Sequence, residues 1–236
     1  MRRPATNFIV DAIAFDLDGT LLDTIHDLAA AINALLAEAH LPTLPKATLR
    51  NLVGKGMPHL LSRSVALSRG APPDADELKR FLARYQQIYA ARLGHDTLPF
   101  PELHDTLEHL ASRGFRLAVI TNKATRFVRP HLAAAGIERY FDAVVGGDDA
   151  SAKKPHAAPL LLAALQMKVA PDRMLMVGDS GNDVDAARAA GCPVVVVPHG
   201  YSEGLPVQEL RADGIVPTLF ALTALVARPA SPAHEP

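Results

Sequence analysis

The sequence lacks the features that mark secreted, membrane-spanning and nucleic-acid-binding proteins. Its single cysteine, Cys192, excludes an internal disulfide, and a reducing, cytoplasmic compartment is expected. The longest apolar runs, such as 192-CPVVVVP-198, are far shorter than the roughly 20 residues of a membrane span. The start, MRRPATNFIVDAIAF, has no apolar core with a small-residue cleavage site. The formal net charge of −1 provides no basic surface, so we expect neither a nucleic-acid nor a membrane partner.

Five short apolar runs indicate the architecture of the 236-residue chain. They are apolar throughout, which is typical of strands buried on both faces of a parallel sheet. The runs lie at 12–16, 116–121, 143–146, 174–179 and 194–198. Helical patterns follow at 101–113, 124–136, 158–168 and 182–190. This alternation predicts an α/β fold with a Rossmann-like parallel sheet core and helices on both faces.

One long stretch, from Thr24 to about His95, shows no convincing strand. Its apolar residues begin with helical spacing, and Asp23 or Thr24 is expected to cap the first helix. Further helices are predicted at 46–53, 57–69 and 74–93. We therefore predict an α-helical cap domain at 23–95, inserted into a discontinuous core of 1–22 and 96–227. Residues 228–236 are predicted to be a flexible tail, like the first six residues.

Polar residues cluster where four of these runs end. Ligands of open α/β sheets bind at the carboxyl ends of the strands, so these residues are expected to meet. The four segments are 16-DLDGT-20, 121-TN-122, 153-KKP-155 and 178-GDSGND-183. Their carboxylates suit Mg²⁺, which prefers oxygen ligands, and their lysine, amide and hydroxyl groups suit a phosphate.

The first segment places two carboxylates, Asp16 and Asp18, two positions apart. A divalent cation between Asp16 and Asp179 would offset the repulsion between the carboxylates. One carboxylate of the pair can attack phosphorus, while the other protonates the leaving oxygen and later deprotonates water. Gly19 permits a tight turn and lets its N–H face a phosphate oxygen.

The four segments, in this order, resemble the motifs of the haloacid dehalogenase superfamily in their phosphatase form. The resemblance covers nearly the whole chain and implies that Asp16 is the nucleophile and Asp18 the general acid/base. It implies that Thr121, with Asn122, binds phosphate. It also implies that Lys154 steadies Asp16 and the transferring phosphoryl group. The helical insertion lies where this family places its cap.

The resemblance further implies how a Mg²⁺ ion is held. Asp16 and the backbone carbonyl of Asp18 would be ligands, and Asp179 would complete the site. Asp183 would either coordinate the ion directly or hold a metal-bound water. Both alternatives stay open for Asp183.

Further stretches are similar to the phosphoglycolate phosphatase branch of the superfamily, among them 51-NLVGKGMPHLL-61 and 177-VGDSGNDVDAARAAG-191. The expected substrate is a small phosphorylated metabolite, with 2-phosphoglycolate as the first candidate, and the expected assembly is a monomer or homodimer. In the cap, glycines flank Lys55, and a contact from Lys55, or from Arg63, to the substrate carboxylate is a hypothesis.

Several alternative functions share part of this pattern. Sugar-phosphate phosphatases, including those acting on N-acetylmuramic acid 6-phosphate, and phosphoglucomutase-type phosphotransferases share both aspartates. A haloalkanoate dehalogenase or a phosphonoacetaldehyde hydrolase would not need Asp18. A receiver-like signalling module also has an acceptor aspartate beside a parallel sheet, but it would lack the inserted cap.

Overall fold

The computed structural model describes residues 8–229, and its centre is a parallel sheet. The strands are β1 (Phe8–Ile9), β2 (Ala12–Phe15), β3 (Leu22–Asp23), β4 (Leu98–Pro99), β5 (Arg116–Ile120), β6 (Ala143–Val145), β7 (Met174–Gly178), β8 (Val194–Val196), β9 (Gly214–Ile215) and β10 (Val226–Ala227). Six of them form the sheet, in the order β6-β5-β2-β7-β8-β9, and every neighbouring pair is parallel. Of the predicted tail at 228–236, residues 230–236 lie outside the described residues, as do residues 1–7.

Helices connect the strands and form the insertion. They are α1 (Ile25–Glu38), α2 (Lys46–Arg50), α3 (Met57–Arg69), α4 (Ala75–Arg92), α5 (Leu103–Ser112), α6 (Thr125–Ala134), α7 (Ala158–Met167) and α8 (Gly181–Ala190). Within residues 8–229, no helix combines the length and the apolar character needed to cross a membrane.

The sheet is buried on both faces, as its uniformly apolar strands predict. Successive strand residues point to opposite faces, so Ile13 and Phe15 pack in one apolar cluster with residues of α5 and α6. Ala12 and Ala14 pack in a second cluster with residues of α7 and α8. The prediction of an α/β fold with helices on both faces is confirmed.

The insertion comprises α1 to α4 and lies between β3 and β4. These two strands pair antiparallel, with Leu22 opposite Pro99 and Asp23 opposite Leu98, where the chain leaves and returns. The helices have their own apolar cluster, which includes the fully buried rings of Tyr85 and Tyr89. The sheet therefore carries an α-helical cap, as predicted.

Two local expectations for the cap differ from the structure. The helix predicted over 46–53 ends at Arg50, because the chain turns through Gly54 and Gly56, whose φ angles are +127° and +84°. Of the two residues expected to cap α1, Asp23 accepts the N–H of Ile25 at 3.4 Å, whereas Thr24 makes no capping hydrogen bond from its side chain. Its hydroxyl donates instead to Asp18 Oδ1, at 2.7 Å.

A buried carboxylate, Asp27, joins the two ends of the cap. It lies in the first turn of α1 and has no solvent exposure. Its Oδ1 accepts the N–H of Asp96 at 3.0 Å, and its Oδ2 accepts the N–H of Gly94 at 3.0 Å and the hydroxyl of Thr97 at 2.8 Å. Asp27 thereby satisfies three donors of the returning chain.

Replacing this carboxylate should destabilise the protein. We expect Asp27→Ala to lower the free energy of unfolding by about 3 kcal/mol, because two backbone N–H groups and a hydroxyl lose a charged acceptor. Asp27→Asn, which keeps one carbonyl oxygen, should lose less. Urea unfolding followed by circular dichroism would measure both variants, and a loss below about 1 kcal/mol for Asp27→Ala would contradict this role.

Candidate active site

The site lies at the carboxyl ends of three adjacent strands. The central strand β2 lies between β5 and β7, and Phe15 at its end pairs with Val119 and Val177. Asp16, Thr121 and Asp179 directly follow these three strands. The chain adds strands on one side of β2 and then on the other, so this edge is the topological switch point where ligands bind in such sheets.

Lys154 joins the carboxylates at this edge. It lies in the loop between β6 and α7, and its side chain is only 2% exposed. Its ammonium group donates to Asp16 Oδ1 at 2.8 Å, Asp183 Oδ1 at 2.6 Å and the carbonyl of Ile120 at 2.6 Å. These three acceptors match the three N–H groups of an ammonium ion, so Lys154 is fully engaged.

Asn122 holds Lys154 in place, and its side-chain amide has no free donor for a phosphate. Its Oδ1 accepts the Lys154 N–H at 2.9 Å, and its Nδ2 donates to the Lys154 carbonyl at 2.9 Å. The same Nδ2 donates to the carbonyl of Gly54 in the cap, at 2.8 Å. The side chain of Asn122 therefore positions Lys154, and the phosphate contact expected from the sequence would fall to its backbone N–H. Thr121, by contrast, lines the cavity, and its Oγ accepts only the N–H of Lys123, at 3.2 Å.

Gly19 has a different role from the expected one. Its N–H, expected to face a phosphate, donates to the carbonyl of Leu22 at 2.9 Å and closes the turn after β2. Its φ of +94° favours glycine, and a Cβ atom would lie 2.6 Å from Asp179 Oδ2. Gly200 faces Asp179 from another side, and a Cβ there would also overlap this carboxylate. The two glycines leave room for Asp179.

Asp179 and Asp183 each accept several hydrogen bonds. Asp179 Oδ1 accepts the hydroxyl of Thr20 at 3.0 Å, and its Oδ2 accepts the N–H of Tyr201 at 2.6 Å. Asp183 Oδ2 accepts the N–H groups of Asp179 and Ser180 and the Ser180 hydroxyl, at 2.8–3.2 Å. Asp183 therefore closes the N-terminus of α8, and its other oxygen is bonded to Lys154.

Three buried carboxylates lie close together, and the single ammonium group among them, that of Lys154, contacts two of the three. Ligand oxygens of Asp16, Asp179 and Asp183 lie within 4.8 Å of one another. Burial raises the pKa of Asp16 to about 6, against the opposing charge of Lys154, and raises the pKa of Asp179 to about 8, with added repulsion from Asp183 and Asp16. When all three are ionised, the group carries two negative charges in excess. An all-oxygen donor set with this excess charge fits a divalent metal ion.

Asp18 lies beside this cluster, but its carboxylate is hydrogen-bonded to Thr24 and Lys123. Its Oδ1 accepts the Thr24 hydroxyl at 2.7 Å, and Lys123 Nζ lies 2.9 and 3.2 Å from the two carboxylate oxygens. Burial acts to raise the pKa of Asp18, but the charges of Lys123 and His131 and the hydrogen bonds from Lys123 and Thr24 hold it below its usual value. An expected metal contact of Asp18 therefore rests on its backbone carbonyl alone.

A cavity lies between the strand ends and the cap. Its polar floor consists of Asp16, Asp18, Thr121, Asn122 and Lys123. Its opposite wall is formed by Leu28, Val53, Gly54, Gly56, Met57 and Leu60 of the cap. The cap loop around Gly54 and Gly56 therefore faces the strand ends.

Lys55 is not brought to this cavity. Its ammonium group forms a 2.7 Å ion pair with Glu203, and the side chain is 46% exposed. The two flanking glycines line the cavity, whereas the Lys55 side chain points to the loop after β8. Arg63 is exposed on α3 and lies outside the cavity lining. The substrate contact expected of Lys55 has no support in this geometry.

Sequence reasoning missed Lys123 and Tyr201. Lys123 directly follows the 121-TN-122 segment, so its position at a strand end was the available signal. Tyr201 gave no local signal, because its partners are distant in sequence. Its hydroxyl accepts the N–H groups of Thr24 and Ile25, at 2.8 and 3.0 Å, and donates to Asp23 at 2.9 Å. Tyr201 thus connects Asp179 to the start of α1.

Comparison with known proteins gives consistent matches. Residues 13–197 match the family of haloacid dehalogenase-like hydrolases. The chain is 46% identical over 217 residues to the phosphoglycolate phosphatase of Nitrosospira multiformis, covering 92% of this chain and 96% of that protein. It is 38% identical over 242 residues to the phosphoglycolate phosphatase of Escherichia coli K12, covering 96% of each chain.

Solved structures match over the same extent. A crystal structure described as a predicted phosphoglycolate phosphatase from Haemophilus somnus has a TM-score of 0.87 and 34% identity, covering 91% of this chain and 97% of that chain. The likeness therefore includes the cap as well as the sheet.

Without divalent cations, Asp179→Asn should stabilise the protein more at pH 8 than at pH 5. The pKa of Asp179 is raised from 3.8 to about 8 in the folded chain, so between these values the folded state binds more protons than the unfolded state. Stability then falls as pH rises, and the neutral amide removes this loss. Urea unfolding with EDTA measures the increase in the free energy of unfolding that Asp179→Asn brings over the wild type. We expect this increase to be larger at pH 8 than at pH 5 by more than about 1.4 kcal/mol, the equivalent of one pKa unit.

The control is Asp185→Asn, which changes an exposed carboxylate on α8, the helix that follows Asp179. It should show no such difference between the two pH values. Added Mg²⁺ should stabilise the wild type and not Asp179→Asn. Equal gains for Asp179→Asn at both pH values would contradict this electrostatic account.

Proposed function

This chain belongs to the phosphoglycolate phosphatase branch of the haloacid dehalogenase-like hydrolase family, and we propose that it is a Mg²⁺-dependent phosphatase that hydrolyses 2-phosphoglycolate to glycolate and phosphate. One observation carries this proposal. Asp16, which follows the central strand and lines the floor of the cavity beneath the cap, accepts a 2.8 Å hydrogen bond from Lys154. The arrangement combines a carboxylate nucleophile with a cation beside it.

The apolar cap wall of the cavity favours a small substrate over a sugar phosphate. Its cap wall presents the side chains of Leu28, Val53, Met57 and Leu60. These groups offer no hydrogen-bond partners to sugar hydroxyls, and burying an unpaired hydroxyl costs free energy. A two-carbon substrate has no hydroxyl to bury.

In the first step, Asp16 attacks phosphorus while the bond from phosphorus to the ester oxygen breaks. The product is an aspartyl phosphate on Asp16, and the departing alkoxide takes a proton from Asp18. Thr121 donates its hydroxyl to a phosphoryl oxygen from the floor of the cavity. Lys154 holds Asp16 by its hydrogen bond and acts on the transferring group through its positive charge, and Asn122 keeps Lys154 in position through two backbone contacts.

In the second step, water attacks phosphorus and the bond to Asp16 breaks. Asp18 accepts the proton of this water and so returns to its acid form. Lys123 and Thr24 favour the ionised form of Asp18, which is the form that accepts this proton, so the acid form used in the first step is the less stable of the two. Phosphate and the free Asp16 carboxylate result.

The metal ion would be held by Asp16 and Asp179, with Asp183 acting directly or through water. When bound, Mg²⁺ would neutralise negative charge on the substrate phosphate. The oxygen-only ligands and the excess negative charge of this cluster support Mg²⁺ over softer metals.

Three further expectations belong to the same proposal. We assign the cap to residues 23–95, and the core to 1–22 and 96–227. We place the protein in the cytoplasm, in keeping with a single, buried cysteine, Cys192. We expect a monomer or a homodimer.

The substrate assignment is tested by comparing phosphate esters. With Mg²⁺, kcat/KM for 2-phosphoglycolate should exceed kcat/KM for N-acetylmuramic acid 6-phosphate and glucose 6-phosphate by at least about tenfold. Asp16→Asn should abolish turnover of every ester, because an amide is a poor nucleophile. A preference for a sugar phosphate would overturn the substrate assignment, and turnover by Asp16→Asn near the wild-type rate would overturn the mechanism.

Asp18→Asn should slow phosphorylation of Asp16 by 2-phosphoglycolate by about 10²–10⁴-fold, the usual range for a positioned acid. The loss should be smaller with p-nitrophenyl phosphate, because its leaving group hardly needs a proton. Single-turnover measurements of aspartyl phosphate formation isolate this step. Equal losses for the two esters would show that Asp18 does not act as the acid.

A further inference from the structure

The second charged group of a phosphorylated acid needs a cation in the cavity. Lys154 is unsuitable, because its three N–H groups are already paired with Asp16, Asp183 and the Ile120 carbonyl. Arg50 donates to the carbonyls of His199 and Gly200, at 2.8 Å each, and is not part of the cavity lining.

Lys123 is the one lysine or arginine among the described residues that line the cavity. Its side chain is 2% exposed, and its hydrogen-bond acceptor is the carboxylate of Asp18, at 2.9 and 3.2 Å. Asp18 occupies at most two of the three N–H groups of the ammonium ion. At least one N–H thus remains for a further acceptor.

An aromatic ring of the cap keeps Lys123 at this place. Lys123 Nζ lies 4.9 Å from the ring centroid of Tyr89, on α4. Tyr89 is itself fixed by Tyr85, stacked at 5.6 Å, and by the edge of Phe127, at 5.2 Å. A ring face attracts a cation without accepting a conventional hydrogen bond, so the N–H group that Asp18 leaves remains available to another anion.

The position of Lys123 also suits a short substrate. Asp18 is the group that exchanges a proton with the ester oxygen under the proposed mechanism. In 2-phosphoglycolate, one methylene group separates this oxygen from the carboxyl carbon. A cation hydrogen-bonded to Asp18 therefore lies beside the part of the cavity that the carboxylate enters.

We propose that Lys123 binds the carboxylate of the substrate and makes the enzyme selective for small phosphorylated carboxylic acids over uncharged alkyl phosphates. This inference rests on the proposed phosphatase mechanism. It moves the recognition of the second anion from the exposed Lys55 of the cap to a buried lysine of the core.

The test compares Lys123→Met with the wild type on 2-phosphoglycolate and ethyl phosphate, which lacks the carboxylate. Methionine keeps an unbranched side chain against Tyr89 and removes the charge. We expect the ratio of the two kcat/KM values, phosphoglycolate over ethyl phosphate, to fall by about 10- to 100-fold, as for a lost hydrogen bond between charged groups. Lys79→Met, at an exposed position of α4, is the matched control and should leave the ratio unchanged.

A binding measurement separates recognition from catalysis. In the Asp16→Asn background, calorimetric titration with 2-phosphoglycolate should show weaker binding when Lys123→Met is added, while ethyl phosphate should bind equally to both. If Lys123→Met does not fold, as judged by circular dichroism, Lys123→Gln takes its place with the same expected fall. Lys123→Arg should restore part of the ratio.

The outcomes distinguish this inference from the proposed substrate. If the wild type prefers 2-phosphoglycolate to ethyl phosphate and Lys123→Met keeps this preference, the role of Lys123 is overturned and the substrate stands. Equal losses on both esters would likewise overturn it, because Lys123 would then act only by orienting Asp18. If the wild type prefers another phosphorylated carboxylic acid and Lys123→Met loses that preference, the role of Lys123 stands and 2-phosphoglycolate does not.

Discussion

Crowding of negative charge at the carboxyl edge of the sheet governs the site. Asp16, Asp179 and Asp183 are buried close together, and Lys154 is the ammonium group that touches two of them. Both oxygens of Asp179 are met by donors from other segments, the Thr20 hydroxyl and the N–H of Tyr201. Loops that are far apart in sequence are thus drawn to one point by the need to satisfy buried charge. The donors reduce the repulsion without cancelling it, which leaves a place for a divalent cation.

The strands and helices that depend on local sequence patterns were predictable from the sequence. The apolar runs at 12–16 and 174–179 predict strands because burial on both faces excludes alternation, and the structure has β2 and β7 there. The parallel arrangement of the strands followed from their alternation with helices, and the meeting of Asp16 with Asp179 followed from their places at the carboxyl ends of these strands. The cap helices were predictable from their spacing, apart from the end of α2, where two glycines turn the chain.

What the sequence did not reveal depends on contacts between distant residues. Lys123 and Asp18 are 105 positions apart, and no local pattern in either segment predicts their ion pair. Asn122 and Gly19 were expected to serve a phosphate because their types suit it. In the folded chain, the side-chain amide of Asn122 donates to the carbonyl of Lys154, and the N–H of Gly19 donates to the carbonyl of Leu22. Residue type indicates what a side chain can bind, whereas packing decides which partner it reaches.

Tyr201 couples the cap to the candidate metal site. Its backbone N–H binds Asp179, and its hydroxyl binds the first N–H groups of α1, so one residue belongs to both. Any displacement of the cap that moved Tyr201 would also move a hydrogen-bond donor of Asp179. A cation held by Asp179 would then act on the position of the cap with the same coupling free energy, because linkage is reciprocal.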